Sequence, residues 1–300
     1  MARVGLVRWM RRRRLVAFLT LAYGLSWVVW GVALALRLPA DHGAGLALLA
    51  AGAGGPSVAA LLVAAARHGR EGIADLLRGL RRWRVGAGWY VVALLGPLLL
   101  MAAAVELRLL LPEGRPEPAD LSRLRQLIPG AIVILALGGP LQQELGWRGY
   151  ALPRLQARWS ALGSSLILGV VWSLWQLPLC WLPGTPQHAL VGSDRLAPLW
   201  ALGIGGYTVL LSVVITWAFN STGGSTLLAI LLRTGTNAAF ASAWLLGLGR
   251  DPRTLVLDAC LLALVTVVLV VVTSPEKLSR HHRGRAVAIA APARSHRRDH

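Results

Sequence analysis

The sequence predicts an all-α, polytopic membrane protein, a bundle of about eight transmembrane helices. Composition is the first reason: of 300 residues, 55% are hydrophobic and only 15% charged, too apolar for a water-soluble fold of this size. The second is run length, because the apolar stretches approach the roughly 20 residues that cross about 30 Å of hydrocarbon. The third is an uneven split of the basic residues between the two ends of those stretches.

Taken in order, the first span runs from Leu15 to Leu36 after a basic arm, residues 1–14. Ala33-Leu34-Ala35 resembles a cleavage site, but the run exceeds the about 7 to 15 residues of a signal-peptide core and reads as a retained helix. Leu46 to Ala66 and Trp89 to Leu107 follow, separated by a polar stretch from Arg67 to Gly88 read as a loop. Within it, Ile73 to Val85 is basic and partly amphipathic, suited to lie on anionic headgroups. The fourth span, Leu127 to Leu141, carries Gly138-Gly139-Pro140, where the missing N–H of Pro140 ends or kinks the helix and aims Glu144 into the bundle. Ala161 to Pro178, Trp200 to Phe219, Thr226 to Leu246 and Leu255 to Val272 complete the set. Nothing resembles a linker between soluble blocks, so residues 15–273 form one membrane domain. The tail, residues 274–300, is basic without apolar period and is expected to be disordered.

A formal charge of +18 would suit a nucleic-acid partner, but the placement of the 31 basic residues excludes that reading. With the N-terminus in the cytoplasm, 22 fall in cytoplasmic segments and 8 in outer ones, with Arg233 left inside a span. This is the positive-inside pattern, so both termini are expected in the cytoplasm and the bilayer is the partner. Cys180 and Cys260 lack metal or redox spacing and read as buried apolar residues with no disulfide. The glycines at 52, 54 and 55 and at 203, 205 and 206 predict close helix packing. Trp9, Trp89, Trp159 and Trp200 fall where an interfacial belt belongs, whereas Trp147, Trp172 and Trp175 lie among polar positions and are expected to pack a cavity.

Residues four apart share a helix face, so Glu144 with Arg148, Trp172 with Gln176, and Arg233 with Asn237 form three short stripes able to converge. Ionisable groups at membrane depth face the interior, and Glu144 and Arg233 are expected to pair there as a site or as a structural ion pair. Asp258 and Glu106, near span ends, are expected to reach the interface.

Around these stripes the sequence reads Gln142-Gln143-Glu144-Leu145-Gly146-Trp147-Arg148, then Val171-Trp172-Ser173-Leu174-Trp175-Gln176, then Arg233-Thr234-Gly235-Thr236-Asn237. These stretches, within a core from 127 to 246, resemble the CPBP family, the Abi or CAAX prenyl protease type, with motifs Glu-Glu-x-x-x-Arg, an aromatic four residues before His, and His-x-x-x-Asn. The resemblance implies a helical-bundle intramembrane endopeptidase in which a glutamate and the histidines activate water, directly or through a metal, while His and Asn stabilise the oxyanion. Glu144, Arg148 and Asn237 keep the family's residue types. Gln143 stands for the first Glu, Gln176 for the first His and Arg233 for the second.

An amide at 143 cannot act as a general base, and a guanidinium at 233 repels a divalent cation, although it would stabilise an oxyanion. His42, His68, His188, His281, His282, His296 and His300 are all expected in loops or the tail. The expected function is therefore a divergent, catalytically impaired relative that binds a hydrophobic or C-terminal peptide, or a membrane-protein partner, with no cofactor. The alternative is a working endopeptidase using Glu144 and Asn237, the only reading that would call for a divalent metal such as zinc. A transporter or channel would need polar residues along a pathway, which the spans lack apart from the three stripes.

Overall fold

In the computed structural model, residues 13–111, 121–137, 139–191, 197–248 and 252–279 are described, and every element among them is helical. Helix α1 is Arg14–Ala35, α2 Gly43–Ala53, α3 Gly55–Leu77 and α4 Ala87–Leu110. A 3₁₀ turn, Leu121–Gln126, leads into α5, Leu127–Leu137; α6 is Pro140–Glu144, followed without a break by a π-helical segment, Leu145–Ala151, and α7, Leu152–Gln156. Then come α8 Ala161–Trp175, a 3₁₀ turn Leu177–Cys180, α9 Pro186–Val191, α10 Ala197–Ser221, α11 Thr226–Leu245 and α12 Pro252–Thr273. The N-terminal arm through residue 12 and the tail from 280 lie outside the described residues.

Helix α1 shows how the bundle sorts its faces. Phe18, Ala22, Ser26 and Trp30, spaced four apart, are completely buried, while Val28 and Val32 remain exposed. The same outward apolar surface covers α12, where Leu264, Val267, Val268, Val271 and Val272 are exposed. An apolar exterior of this extent suits lipid rather than water. Small residues let the inner faces close up: a methyl on Gly55 would fall 2.1 Å from Ser26 Oγ, and one on Gly52 2.2 Å from the Trp30 ring. The second glycine cluster behaves differently, because only Gly205 is approached, by Ser173 Oγ, and Gly203 and Gly206 face open space.

Among the described residues, five helical segments are long and apolar enough to cross a membrane: Arg14–Ala35, Gly43–Leu77, Ala87–Leu110, Leu202–Ser221 and Pro252–Thr273. The expected count of eight is not reached by this measure. Helix α5 has 11 residues, about 16 Å at 1.5 Å per residue, because Gly139 adopts φ 96° and Pro140 starts a new helix. Gln142 Nε2 donates to Ala136 O across that break. Helix α8 has 15 residues, and α11 carries Arg233 and Asn237 in its interior. The segment after Gly139, α8 and α11 supply the site, whereas α5 leaves Ile128, Ile132 and Val133 exposed.

The polar stretch Arg67 to Gly88 is not a simple loop, since α3 kinks at His68 and Gly69 and continues to Leu77. His68 therefore sits within a helix, at its kink, and His188 within α9. Cys260, expected buried, is exposed on α12, while Cys180 is buried. Trp159 is exposed as an interfacial residue would be, and Trp89 packs against Trp217 with the rings tilted and their centroids 4.8 Å apart; Trp9 and the Trp200 side chain lie outside the described residues.

Backbone contacts define the two ends of the bundle. Ala161 N donates to Glu276 O and Leu162 N to Pro275 O, so the start of α8 meets the segment after α12. Thr226 N donates to Gly79 O at the same end. At the opposite end, Ala40 N donates to Pro183 O, and Arg123 Nη1 reaches Leu245 O.

Candidate functional site

The three stripes do converge, and they converge on Trp172. Its indole is completely buried, and its N–H donates to Gln143 Oε1 at 3.3 Å. The Arg148 guanidinium carbon lies 4.7 Å from the ring centroid and that of Arg233 4.0 Å, so two cations share one aromatic ring. Cation–π contacts of this kind strengthen when water is excluded.

Glu144 and Arg148 form a fully buried ion pair, with Arg148 Nη1 3.0 Å from Glu144 Oε2 and 3.2 Å from Oε1. Arg148 Nη2 also donates to Ser212 Oγ, which in turn donates to Ser165 O, tying the pair to α10 and α8. Arg233, expected to pair with Glu144, makes no direct ion pair with it; Arg233 Nε donates to Asn237 Oδ1 at 3.1 Å, one turn along α11. Arg148 takes the carboxylate because the i to i+4 spacing already holds it there, whereas Arg233 would have to cross from another helix. Two guanidinium groups thus face one carboxylate, leaving the cluster one positive charge in excess. Within it, Arg148 Nε and Trp147 Nε1 are buried donors without hydrogen-bond partners among the described residues.

Gln176 belongs to a neighbouring network. Its amide donates to Thr208 Oγ1 at 3.4 Å and accepts from Gln187 Nε2 at 3.3 Å, and Thr208 donates back to Ile204 O. It is the polar C-cap of α8, joined to α9 and α10 rather than to Arg233.

The backbone beneath Glu144 and Arg148 is the π-helical segment Leu145–Ala151. Such segments are rare and concentrate where a helix must re-aim its side chains. Here Gly146 sets the approach: a methyl there would fall 2.4 Å from Pro56 O, so α3 packs directly against this backbone. Phe18 meets Trp147 edge-on at 5.5 Å, and Trp147 meets Trp175 at 5.7 Å, closing the apolar side of the site.

Sequence reasoning missed Ser165, Thr208, Gln187 and Ser212, uncharged polar side chains whose partners lie 11 to 64 residues away. It also placed Asp258 at the interface, whereas its side chain is 1% exposed and hydrogen-bonded to Tyr207; Glu106 is exposed. Burial pushes the Cys180 thiol above its ordinary value, opposite to what a poised thiolate requires.

Residues 125–239 match the family described as type II CAAX prenyl endopeptidase Rce1-like. The match covers that segment alone. It contains every residue of the Trp172 cluster and the Gln176 network. A CAAX prenyl protease 2 from Methanococcus maripaludis is 32% identical over 102 residues, a stretch covering 33% of this chain and 36% of that protein. The chain thus aligns with about a third of the relative's length.

A metal, one of the mechanisms implied by the CPBP resemblance, does not fit the donors in the matched segment. Gln143 offers an amide engaged by an indole, Gln176 points its amide into another network, Arg233 is a cation, and the one carboxylate is held by Arg148. Divalent-metal sites require several carboxylate, imidazole or thiolate ligands together. Among the described residues no group of three His, Cys, Asp or Glu side chains is so placed.

Proposed function

We propose that this membrane protein is a non-hydrolytic relative of the CAAX-type endopeptidases that keeps the helical site as a binding site. Its ligand is a hydrophobic or C-terminal peptide, free or presented by a membrane protein. The observation that carries the reading is the state of position 143: an amide accepting the Trp172 N–H, with the adjacent Glu144 locked to Arg148, leaves no group to take a proton from water. The excess positive charge and the unpartnered Arg148 Nε and Trp147 Nε1 support a carboxylate or peptide carbonyl as what enters.

The competing reading, hydrolysis by Glu144 with Arg233 and Asn237 at the oxyanion, has one point in its favour: the Arg233 and Asn237 side chains are adjacent and only half-buried. It is tested by incubating the purified chain with hydrophobic and C-terminal peptides, with and without divalent metal. Binding without cleavage supports the proposal; metal-independent or metal-dependent turnover overturns it.

The reading also places both termini on the cytoplasmic side. It is supported by α1 beginning, and the segment after α12 ending, at the end of the bundle that carries Arg70, Arg78, Arg81, Arg82, Arg84, Arg154 and Arg158. Cysteine labelling at each terminus checks it, and modification of either from outside intact cells would contradict it.

A further inference from the structure

At the end of the bundle carrying those arginines, the loop between α3 and α4 and the turn between α10 and α11 enclose an open recess of about 520 Å³. Its lining is Arg81, Arg82, Trp83, Arg84 and Val85 on one side and Thr222 and Gly223 on the other, with no acidic side chain. The loop is not a loose basic run. Ser225 Oγ donates to Arg82 O at 2.7 Å, Thr226 N to Gly79 O at 3.1 Å, and Tyr90 Oη to Trp83 O. The turn opposite is shaped by Gly223 and Gly224, with φ 66° and 87°, and a methyl on Gly224 would fall 3.0 Å from Arg82 Nη1. Only glycine both adopts that backbone and leaves the guanidinium its place.

The charges are held ready as well. The nearby Arg78 is already neutralised by Asp75, whereas Arg81, Arg82 and Arg84 have no acidic partner among the described residues. Arg84 lies 5.1 Å from the Trp83 ring centroid, and Trp83 itself is 57% exposed. The recess is built where Leu77, Ala87, Ser221 and Thr226 end or begin their helices, which is headgroup depth for a bundle whose middle is apolar.

We propose that this recess is a binding site for the phosphate of an anionic phospholipid in the leaflet on that side. The guanidinium groups of Arg81, Arg82 and Arg84 hold the phosphate oxygens, with the planar fork of arginine matching that geometry. Trp83 lies at the headgroup and acyl boundary, as exposed tryptophans do at that depth. An exposed ring beside the cations, flanked by membrane-crossing helices, favours a lipid over a soluble phosphate, which would have no use for it.

The full chain in phosphatidylcholine nanodiscs is titrated with short-chain phosphatidylglycerol, short-chain phosphatidylcholine, glycerol phosphate and inorganic phosphate, and binding is read by calorimetry. The expected result is saturable binding of phosphatidylglycerol alone. The triple variant R81Q/R82Q/R84Q should weaken it by on the order of 100-fold, taking each arginine near a surface phosphate at its usual worth. Replacing Arg70, Arg158 and Lys277, all exposed toward the same end, with Gln removes equal charge and should change it less than about threefold. The lysine triple R81K/R82K/R84K should recover only part of the loss, and W83L should weaken the lipid without altering charge. Equal affinity of the unaltered chain for both lipids, equal binding of glycerol phosphate, or equal losses in the two Gln triples would each overturn the assignment.

Discussion

Removing Glu144 should be one of the most destabilising single changes in the chain, and the size follows from its surroundings. Both carboxylate oxygens lie within 3.2 Å of Arg148 Nη1, and both side chains are completely shielded from solvent. Breaking one partner of such a pair leaves an uncompensated charge in low dielectric and costs about 3–5 kcal/mol. E144A belongs at the upper end of that range, because it leaves Arg148 and Arg233 as two buried cations around Trp172. R148A leaves a carboxylate that Arg233 approaches electrostatically, and belongs lower. The double variant E144A/R148A removes both charges and should cost less than the sum by about 2 kcal/mol or more. Reversible unfolding in mixed detergent micelles measures the cycle. Additivity within about 0.5 kcal/mol would refute the pair as an energetic unit, whatever its geometry.

Trp172 supplies a second test, since its hydrogen bond and its π face separate by substitution. W172F keeps the aromatic face and loses the N–H to Gln143, so it should cost about 1 kcal/mol, whereas W172A also opens a cavity and should cost about 3–5 kcal/mol, both read from the same unfolding assay. In the functional direction, Q143E, Q176H and R233H together form the smallest set able to restore hydrolysis, and each alone should restore little because such groups act as a unit. Full activity from Q143E alone, in a peptide-cleavage assay, would show that Arg233 and Gln176 do not hold the site silent.

Local relations were legible in the sequence and long-range ones were not. The i to i+4 spacing gave Glu144 with Arg148 and Arg233 with Asn237, because a helix places such residues together whatever surrounds it. Apolar run length located α1, α4 and α12 to within a few residues, and Gly139-Pro140 correctly marked the break that turns Glu144 inward. Periodicity says which face is buried but not what it meets. Arg148 to Ser212 spans 64 residues and Trp172 to Gln143 spans 29, so the hub at Trp172 and the diversion of Gln176 to Thr208 came from packing alone. The π-helical segment left no periodic trace, since Gly146 and Gly149 also suit an ordinary helix in close contact. Asp258 was misplaced for a related reason: its position near the start of α12 suggested an exit to the interface, but Tyr207 on α10 offers an internal partner.

The most direct measurement is peptide turnover by the unmodified chain in lipid, compared with E144A and with N237A, each verified as folded. The Gln143 amide and the Arg148-bound Glu144 predict stable binding of a hydrophobic C-terminal peptide with no cleavage above background in any of the three. Cleavage by the unmodified chain that disappears in folded E144A would contradict the account and make Glu144 the working base of a rearranged protease.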